Sequence, residues 1–426
     1  MAFFFVFLFY FYVSISKDIK MIDKLSFKGY SLIKENETAP VKTQNNITFN
    51  SDTQKLKDNP NSYYNRIMFT GVSKVHHNAE KHKLQNYKAC LIGGAIGDSL
   101  GYPVEFSRLE RIKETYGSNG ITNLKLDKGQ AIITDDTQMT MFTADGLLKS
   151  ALTSFDENKI PDMKTIYNSY QDWLKTQGYG SLRPTSKGGW ISKLDELQVR
   201  RAPGNTCIGS LVSGIPGSIE RPTNDSEGCG GVMRVAPVGL MYYKNPKLAF
   251  EVGARCAALT HGSPNAYLAA GIHSCIIANL VNGKNIRKAV DNSIEVLKTY
   301  QGSEKLQGLM AQAKKMANSD IHPEDAISIL GEGWNGDEAI AIATYCVLKS
   351  PNNFKKALIM AVNHDGDSDS TGAVVGNILG TYLGIEAIPT EWRAHIELKD
   401  EIEQIAGDLY YPPGKIENAE KRYPLK

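Results

Sequence analysis

Apolar residues recur at helical spacing along most of the chain from Tyr87 onward, in stretches separated by clusters of Gly, Pro and Asn. Strict alternation of apolar and polar residues, which would indicate half-buried strands, is scarce. The pattern therefore predicts an all-α fold. The predicted helices span residues 87–101, 137–149, 163–174, 247–259, 264–281, 286–299, 303–317, 337–348, 353–362, 372–383 and 397–406.

The same pattern suggests how the chain is organised. Residues 28–82 are rich in Asn, Lys, Ser and Thr and have no period, which is typical of a weakly ordered lead-in. No fixed-period repeat is present, so a solenoid is not expected. We predict an N-terminal apolar segment plus lead-in over residues 1–83, one compact multi-helix domain over 84–410 and a tail over 411–426.

The first residues form an apolar stretch from Ala2 to Ile15. Fourteen residues are short for a bilayer span, which needs about 20. The basic residues and the cleavage site of a secretory signal are missing. One explanation is that translation starts at Met21 instead of Met1, which would leave this segment out of the protein. The other two explanations of the segment are a membrane anchor and a signal for export. We expect a cytoplasmic protein, associated with a membrane only if this segment is real.

The charge balance and the cysteine spacing argue against several classes of binding and structural protein. The 426 residues carry 48 basic and 46 acidic side chains, so the formal net charge is +2. This neutral balance gives no strong sign of nucleic-acid or anionic-membrane binding. Six scattered cysteines contain no CxxC pair, which argues against a zinc site or a disulfide framework and favours free thiols.

Two acidic segments, residues 133–138 and 364–372, carry the main chemical signal. Each places several carboxylates and hydroxyls within a few residues, where like charges repel and a cation is the usual remedy. Oxygen ligands without His or Cys favour Mg²⁺ or Mn²⁺. Neither segment can fill the coordination of such an ion alone, but together they can hold two.

Each acidic segment also has a structural alternative. The first precedes a helix, and taken alone it is explained better as a helix N-cap, with Asp135 and Gln138 close to a capping box. The second resembles the start of a calcium loop, but Ser370 stands where that loop needs Gly, and Gly376 where it needs Glu. For the second segment the ion is the better explanation.

Glycine-rich stretches and isolated polar residues are less specific. The stretch Gly93–Gly101 favours close helix packing over a nucleotide fingerprint, because no strand precedes it. Glu105 stands in an apolar frame, so it either meets a cation or donors when buried, or faces solvent. The loops at 177–181 and 228–234 are either anion-binding or flexible connections. Arg234 pairs with a buried acid or a ligand, and His261 is more often structural than catalytic.

These blocks together resemble the ADP-ribosylglycohydrolase family, which includes dinitrogenase reductase-activating glycohydrolases and the ADP-ribosylarginine and ADP-ribosylserine hydrolases. The matching blocks run in family order from about Tyr87 to about Ala406. They are Gly94–Gly101 with Glu105, Thr134–Thr137, Gly228–Pro237, Leu259–His261, Gly331–Trp334 with Asp337–Ala339, and Gly366–Ser370.

The resemblance implies an all-α hydrolase with two Mg²⁺ or Mn²⁺ ions that cleaves the bond between ADP-ribose and an acceptor. The implied catalytic residues are Glu105 and Asp135. The implied metal ligands are Thr134, Asp135, Asp136, Asp367, Asp369 and Ser370. The implied substrate-binding residues are Gly178, Gly180, Gly228, Gly230, Gly231 and His261. The implied partner is an ADP-ribosylated protein or a small ADP-ribosyl compound.

The chain departs from the family at three positions. Ser370 stands where several relatives have Thr, which keeps the hydroxyl; Cys229 replaces an Asn of some members, and Asp365 replaces a Gly. These changes leave open the acceptor, which is arginine, serine, a base or a metabolite. Two other functions also stay open: a module that binds ADP-ribose without cleaving it, and a hydrolase of another ribosyl compound such as O-acetyl-ADP-ribose or a nucleoside.

Overall fold

The computed structural model describes residues 83–180 and 188–425, so the expectations for residues 1–82 lie outside the described residues. In the described ranges the regular elements are helices, and the backbone forms only three isolated β-bridges. The all-α prediction is confirmed. None of the helices in this part of the chain is long and apolar enough to cross a bilayer.

Seventeen α-helices are present in the described ranges. They are α1 (83–101), α2 (Leu109–Tyr116), α3 (Asp135–Thr153), α4 (Met163–Thr176), α5 (Asn205–Val212), α6 (Ala236–Met241), α7 (Pro246–Ala258), α8 (Pro264–Val281), α9 (Ile286–Leu297), α10 (Glu304–Ala317), α11 (Pro323–Leu330), α12 (Gly336–Lys349), α13 (Phe354–Val362), α14 (Ser368–Leu383), α15 (Thr390–His395), α16 (Lys399–Tyr410) and α17 (Ala419–Arg422). Short 3₁₀ turns include Tyr102–Val104 and Cys229–Gly231.

The eleven predicted helices are all present, and six shorter ones (α2, α5, α6, α11, α15 and α17) were not predicted. The bounds differ at both acidic segments. Helix α3 begins at Asp135 and α14 at Ser368, earlier than residues 137 and 372. The reason is capping: the side chains of Thr134 and Asp367 accept backbone N–H groups of the first turn.

Helix α8 lies at the centre of the core. Its residues from Ala266 to Val281 are all buried, as expected for a helix that is apolar on every side. Helices α6, α7, α9, α12 and α14 pack around it. This packing fixes α14, which carries the second acidic segment at its N-terminus.

Helices α1 and α14 cross in direct backbone contact. A Cβ built on Gly97 would lie 2.0 Å from the carbonyl oxygen of Gly372, and one on Gly93 would lie 2.4 Å from that of Gly376. Side chains at these positions would force the helices apart. The prediction that the small residues of α1 serve close helix packing is confirmed.

The segment after Tyr410 packs on the helical domain. Tyr423 is buried, and its hydroxyl donates a 2.6 Å hydrogen bond to Oδ2 of Asp408. Arg422 donates to Oδ1 of the same carboxylate at 2.8 Å. All described residues belong to one compact unit.

Candidate active site

Asp98, on α1, orients the first acidic segment. It is fully buried, and its carboxylate accepts the backbone N–H groups of Thr134 (3.0 Å) and Thr137 (3.1 Å) and the hydroxyl of Thr137 (2.5 Å). Burial raises the pKa of Asp98 to about 6, although these hydrogen bonds oppose the shift. This carboxylate fixes the start of α3 and with it the side chains of the next residues.

An ion pair supports the same segment from the other side. Arg201 forms a bidentate pair with Glu397, which is 3% exposed at its side chain. The same two side chains bind the backbone of Ile133, since Arg201 donates to its carbonyl and Glu397 accepts its N–H. The backbone that leads into Thr134 is therefore held by charged groups far away in the sequence.

The first acidic segment presents two carboxylates to a cavity. Asp135 Oδ2 accepts the backbone N–H of Gly204 at 3.2 Å. Asp136 Oδ1 accepts the hydroxyl of Ser370, but its Oδ2 has no hydrogen-bond partner among the described residues. Thr134 uses its own hydroxyl as the N-cap, accepting the N–H of Asp136 at 3.3 Å. This segment therefore caps α3 and also presents the carboxylates of Asp135 and Asp136 to the cavity.

The second acidic segment forms the first turn of α14. Asp367 is the N-cap residue, and its Oδ1 accepts the N–H of Ser370 at 3.2 Å. Asp369 accepts the same N–H at 2.9 Å. The hydroxyl of Ser370 then reaches Asp136 at 3.3 Å. The two segments, about 230 residues apart, thus meet at the N-termini of two helices, whose dipoles stabilise negative charge.

The cavity between them has a volume of about 280 Å³. We call it the acidic pocket. Its acidic lining residues are Glu105, Asp135, Asp136, Asp367 and Asp369. The rest of the lining includes Phe106, Gly204, Cys207, Gly228, Cys229, Gly230, His261, Trp334 and Ser370.

Glu105 lies at the acidic pocket just after the 3₁₀ turn Tyr102–Val104. Its side chain is 6% exposed, and Oε2 has no partner among the described residues. Burial and the nearby charges of Asp367 and Asp135 raise the pKa of Glu105 to about 8. Of the two alternatives for Glu105, the structure shows the buried one.

The aspartates share this electrostatic strain. Burial raises the pKa of Asp135, Asp136 and Asp369 well above the ordinary range, and neighbouring carboxylates add to the rise. Without a counterion such a cluster holds protons that it would lose to a cation. A positive charge placed in the acidic pocket would reverse the shifts.

The glycine loop at 228–231 forms one wall of the acidic pocket. Gly228 and Gly230 line it, whereas Gly231 turns away and would bring a Cβ 2.7 Å from that of Ala257. A Cβ on Gly230 would lie 2.7 Å from Sγ of Cys207, so this position has no room for a side chain. The thiol of Cys229 donates a hydrogen bond to Oδ2 of Asp367.

His261 lies behind that loop. It is 2% exposed, and burial together with the charge of Arg234 lowers its pKa to about 3, so the imidazole is neutral. Its Nδ1 is 2.8 Å from the hydroxyl of Thr260, which also accepts a hydrogen bond from Arg234. Arg234 is fully buried, lies over the ring of Tyr170 and has no acidic partner among the described residues. The predicted pairing with a buried acid is not found among the described residues, and Arg234 instead donates to the carbonyl oxygen of Cys256 and to the hydroxyl of Thr260.

Two aromatic side chains form the rim of the acidic pocket. Phe106 and Trp334 stack with their ring centroids 5.6 Å apart and their planes at 19°. They are 74% and 37% exposed. Exposed large aromatic side chains beside a polar cavity offer a stacking surface for a planar ligand group. Sequence reasoning did not single out Phe106 as a functional residue.

The other predicted glycines lie elsewhere. Gly178 follows α4 with a φ of +82°, and neither it nor Gly180 lines the acidic pocket in the described part of the chain. A larger cavity of about 640 Å³ lies near Phe155 and Tyr242. None of the predicted site residues lines it.

The donor set of the acidic pocket fits hard divalent cations. As the side chains stand, no three His, Cys, Asp or Glu residues in the described ranges converge on one point. The chemistry still points to a cation, because Asp136 Oδ2 and Glu105 Oε2 are buried without partners beside further carboxylates. Carboxylate and hydroxyl oxygens suit Mg²⁺ and Mn²⁺.

The chain is similar to proteins of one known family. The family model of the ADP-ribosylglycohydrolases matches residues 79–416. The ADP-ribosyl-(dinitrogen reductase) glycohydrolase of Rhodospirillum rubrum is 24% identical over 318 residues, which cover 73% of this chain and 90% of that protein. The ADP-ribosylhydrolase ARH3 of Mus musculus is 24% identical over 371 residues, which cover 77% and 91%.

A solved structure of an ADP-ribosylglycohydrolase-related protein complex has the same fold. It is 23% identical and covers 78% of this chain and 99% of its own, with a TM-score of 0.50. Members of the matched family are hydrolases that cleave glycosyl bonds of ADP-ribose. Since the family model spans most of the residues, this chain belongs to the ADP-ribosylglycohydrolase family.

Proposed function

We propose that this chain hydrolyses the glycosidic bond between ADP-ribose and an acceptor, and that it uses two Mg²⁺ or Mn²⁺ ions to do so. The observation that carries the proposal is the meeting of two distant acidic segments at one cavity, where Asp136 has a buried carboxylate oxygen without a partner. A binding module that only recognised ADP-ribose would have no need for this many buried carboxylates.

The ions would be held by oxygens from both segments: Thr134, Asp135, Asp136, Asp367, Asp369 and Ser370. Bound divalent ions would supply Lewis acidity toward the ribose hydroxyls and toward a water molecule. The hydroxyl oxygen of Thr134 already accepts the N–H of Asp136 as the N-cap. Thr134 would therefore bind an ion only through a second lone pair of that oxygen.

Glu105 is suited to move a proton. Its Oε2 is buried and without a hydrogen-bond partner among the described residues, and it lies beside Asp135 and Asp367. Cations in the acidic pocket would lower its pKa and leave it ionised. Glu105 would then accept the proton of the attacking water, while the aspartates stabilise the positive charge that develops on the ribose as the acceptor leaves.

The glycine wall and the aromatic rim are suited to hold the substrate. Gly228 and Gly230 allow a ligand to approach the backbone closely, and neutral His261 stands behind them. The exposed pair of Phe106 and Trp334 would stack on a planar group. The proposal covers two kinds of substrate. One is a protein with ADP-ribose on a side chain such as arginine or serine, and the other is a small ADP-ribosyl compound.

The direct test measures free ADP-ribose released from arginine-linked and serine-linked ADP-ribosylated substrates, with added Mg²⁺ or Mn²⁺ and with a chelator. We expect release that stops with the chelator. Binding of ADP-ribose without any release would support the reader module instead. If the chain cleaves only O-acetyl-ADP-ribose or a nucleoside, its substrate is another ribosyl compound and not an ADP-ribosylated protein.

A further inference from the structure

Cys229 places a thiol among the carboxylates of the acidic pocket. The residue begins the 3₁₀ turn Cys229–Gly231, and its backbone is fixed at both ends. Its N–H donates to the carbonyl of Trp334 at 2.9 Å, and its carbonyl accepts the N–H of Val232 at 2.8 Å. The backbone that carries the sulfur is therefore held in place by the fold.

The sulfur lies within contact distance of two proposed metal ligands. Its thiol donates a hydrogen bond to Oδ2 of Asp367, and Sγ is 3.6 Å from Oγ of Ser370. Ser370 Oγ is in turn 3.3 Å from Asp136 Oδ1. An ion bound between these oxygens would have the sulfur of Cys229 as its next neighbour.

A second observation points to a ligand at the same place. Asp136 is 97% buried, lines the acidic pocket and has an Oδ2 without a partner among the described residues. The other thiol of the pocket, Cys207, differs in its surroundings. Its Sγ lies 3.5 Å from Nη1 of Arg234, whose positive charge would repel a cation.

We propose that Cys229 is an additional ligand of one of the ions and shifts the preference of the acidic pocket from Mg²⁺ toward softer divalent ions such as Co²⁺ and Zn²⁺. This inference rests on the proposed metal-dependent hydrolysis. On binding, a sulfur lone pair forms the bond to the ion and the thiol proton passes to the solvent, with no change in oxidation state. Thiolate ligands favour these softer ions over Mg²⁺.

The alternative is that Cys229 only donates a hydrogen bond that holds Asp367 in place. Serine would keep that donor, whereas it would lose the soft ligand. Cys229→Ser therefore separates the two roles, and Cys229→Asn introduces the residue found in some family members. Cys207→Ala is the matched control, since it removes a thiol from the same pocket.

The experiment titrates the purified full chain with Co²⁺ and records the absorption spectrum. We expect a thiolate-to-cobalt charge-transfer band in the near ultraviolet for the unaltered protein and for Cys207→Ala, and its loss in Cys229→Ser. In competition with Mg²⁺, the ratio of the affinities for Co²⁺ and Mg²⁺ should fall by at least about tenfold in both Cys229 variants. The chain's hydrolase activity is measured on the same preparation.

The outcomes separate the inference from the function on which it rests. Cobalt binding without the band, or a band that survives in Cys229→Ser, would overturn the role of Cys229 while leaving metal-dependent hydrolysis intact. No binding of Co²⁺ would overturn both the metal site and this ligand. Loss of the band in Cys207→Ala together with its retention in Cys229→Ser would show that Cys207 supplies the sulfur ligand, and would overturn the proposal for Cys229.

Discussion

The hydroxyl of Ser370 donates a hydrogen bond to Oδ1 of Asp136 over 3.3 Å, although 234 residues separate the two in the chain. This bond joins the first turns of α3 and α14. It depends on the glycine crossing of α1 and α14 and on Asp98, the α1 residue that caps the start of α3. The helix crossing and the hydrogen bonds of Asp98 together bring the two acidic segments to the same cavity.

Replacement of Asp136 by Asn should separate activity from stability. We expect turnover to fall by at least about 100-fold, because a neutral amide holds a divalent ion weakly. The metal-free protein should be as stable as the unaltered one or more stable, since a buried carboxylate with an unpartnered oxygen is removed. Activity assays and thermal unfolding in chelator check this.

A surface carboxylate provides the control for Asp136. Asp291→Asn removes the partner of Lys314 at a half-exposed site on α9 and should leave both turnover and unfolding unchanged within error. Strong destabilisation of Asp136→Asn in chelator would contradict the like-charge strain that we describe for the acidic pocket.

The stability of the metal-free protein should depend on pH through Glu105 and Asp98. Their pKa values are raised in the folded state, to about 8 and about 6, above ordinary values of 4.5 and 3.8. The folded protein therefore binds protons that the unfolded chain releases. Their stabilising contribution is complete below the ordinary values and is lost as the pH rises through 6 and 8.

Buried His261 has a lowered pKa and opposes this trend below about pH 7. Thermal unfolding in chelator should therefore occur at lower temperature as the pH is raised from about 7 to about 8.5, through the pKa of Glu105. Added Mn²⁺ should reduce the dependence, since a cation replaces the protons. Glu105→Gln should show a weaker slope at the upper end of the range. An unchanged slope in that variant would mean that Glu105 does not titrate as described.

Glu105→Gln also tests the role of that residue in turnover. Loss of a general base should lower kcat by about 10²–10⁴-fold and leave KM nearly unchanged. Metal binding, followed by Co²⁺ absorption, should persist. A large rise in KM at constant kcat would instead assign Glu105 to substrate binding.

The pair of Arg201 and Glu397 should contribute strongly to stability. Glu397 is buried, and its carboxylate also holds the N–H of Ile133. Glu397→Ala should lower the free energy of unfolding by about 3–5 kcal/mol, because it leaves Arg201 without its buried partner. Denaturant unfolding of both single variants and of the double variant measures the coupling between them. Additive effects would show that the pair does not act as a unit.

The helix crossing can be tested with two glycines. Gly97→Ala places a Cβ against the carbonyl oxygen of Gly372 and should cost about 3 kcal/mol or more, with loss of activity as the helices separate. Gly308→Ala, in an exposed and open position of α10, should stabilise the protein by about 0.5–1 kcal/mol. Equal effects in denaturant unfolding would argue against the close contact.

Much of the helical fold could be predicted from the sequence because the period of apolar residues is a local property. The buried helix α8 and the amphipathic α9 are clear in the chain alone. The pattern did not predict the short helices α2, α5 and α15, because six to eight residues contain too few repeats of the helical period. They are stabilised by the surfaces on which they lie.

The sequence also determined which residue types form the site, because runs such as Asp367–Ser370 bring carboxylates and hydroxyls together within one turn. Only the tertiary structure decided that Asp136 meets Ser370, that Glu105 is buried and that the thiol of Cys229 faces Asp367. The physical reason is range. Local spacing sets helix period and charge density, whereas contacts across 100 residues or more depend on how the helices pack, and no local pattern encodes the distance between two helix ends.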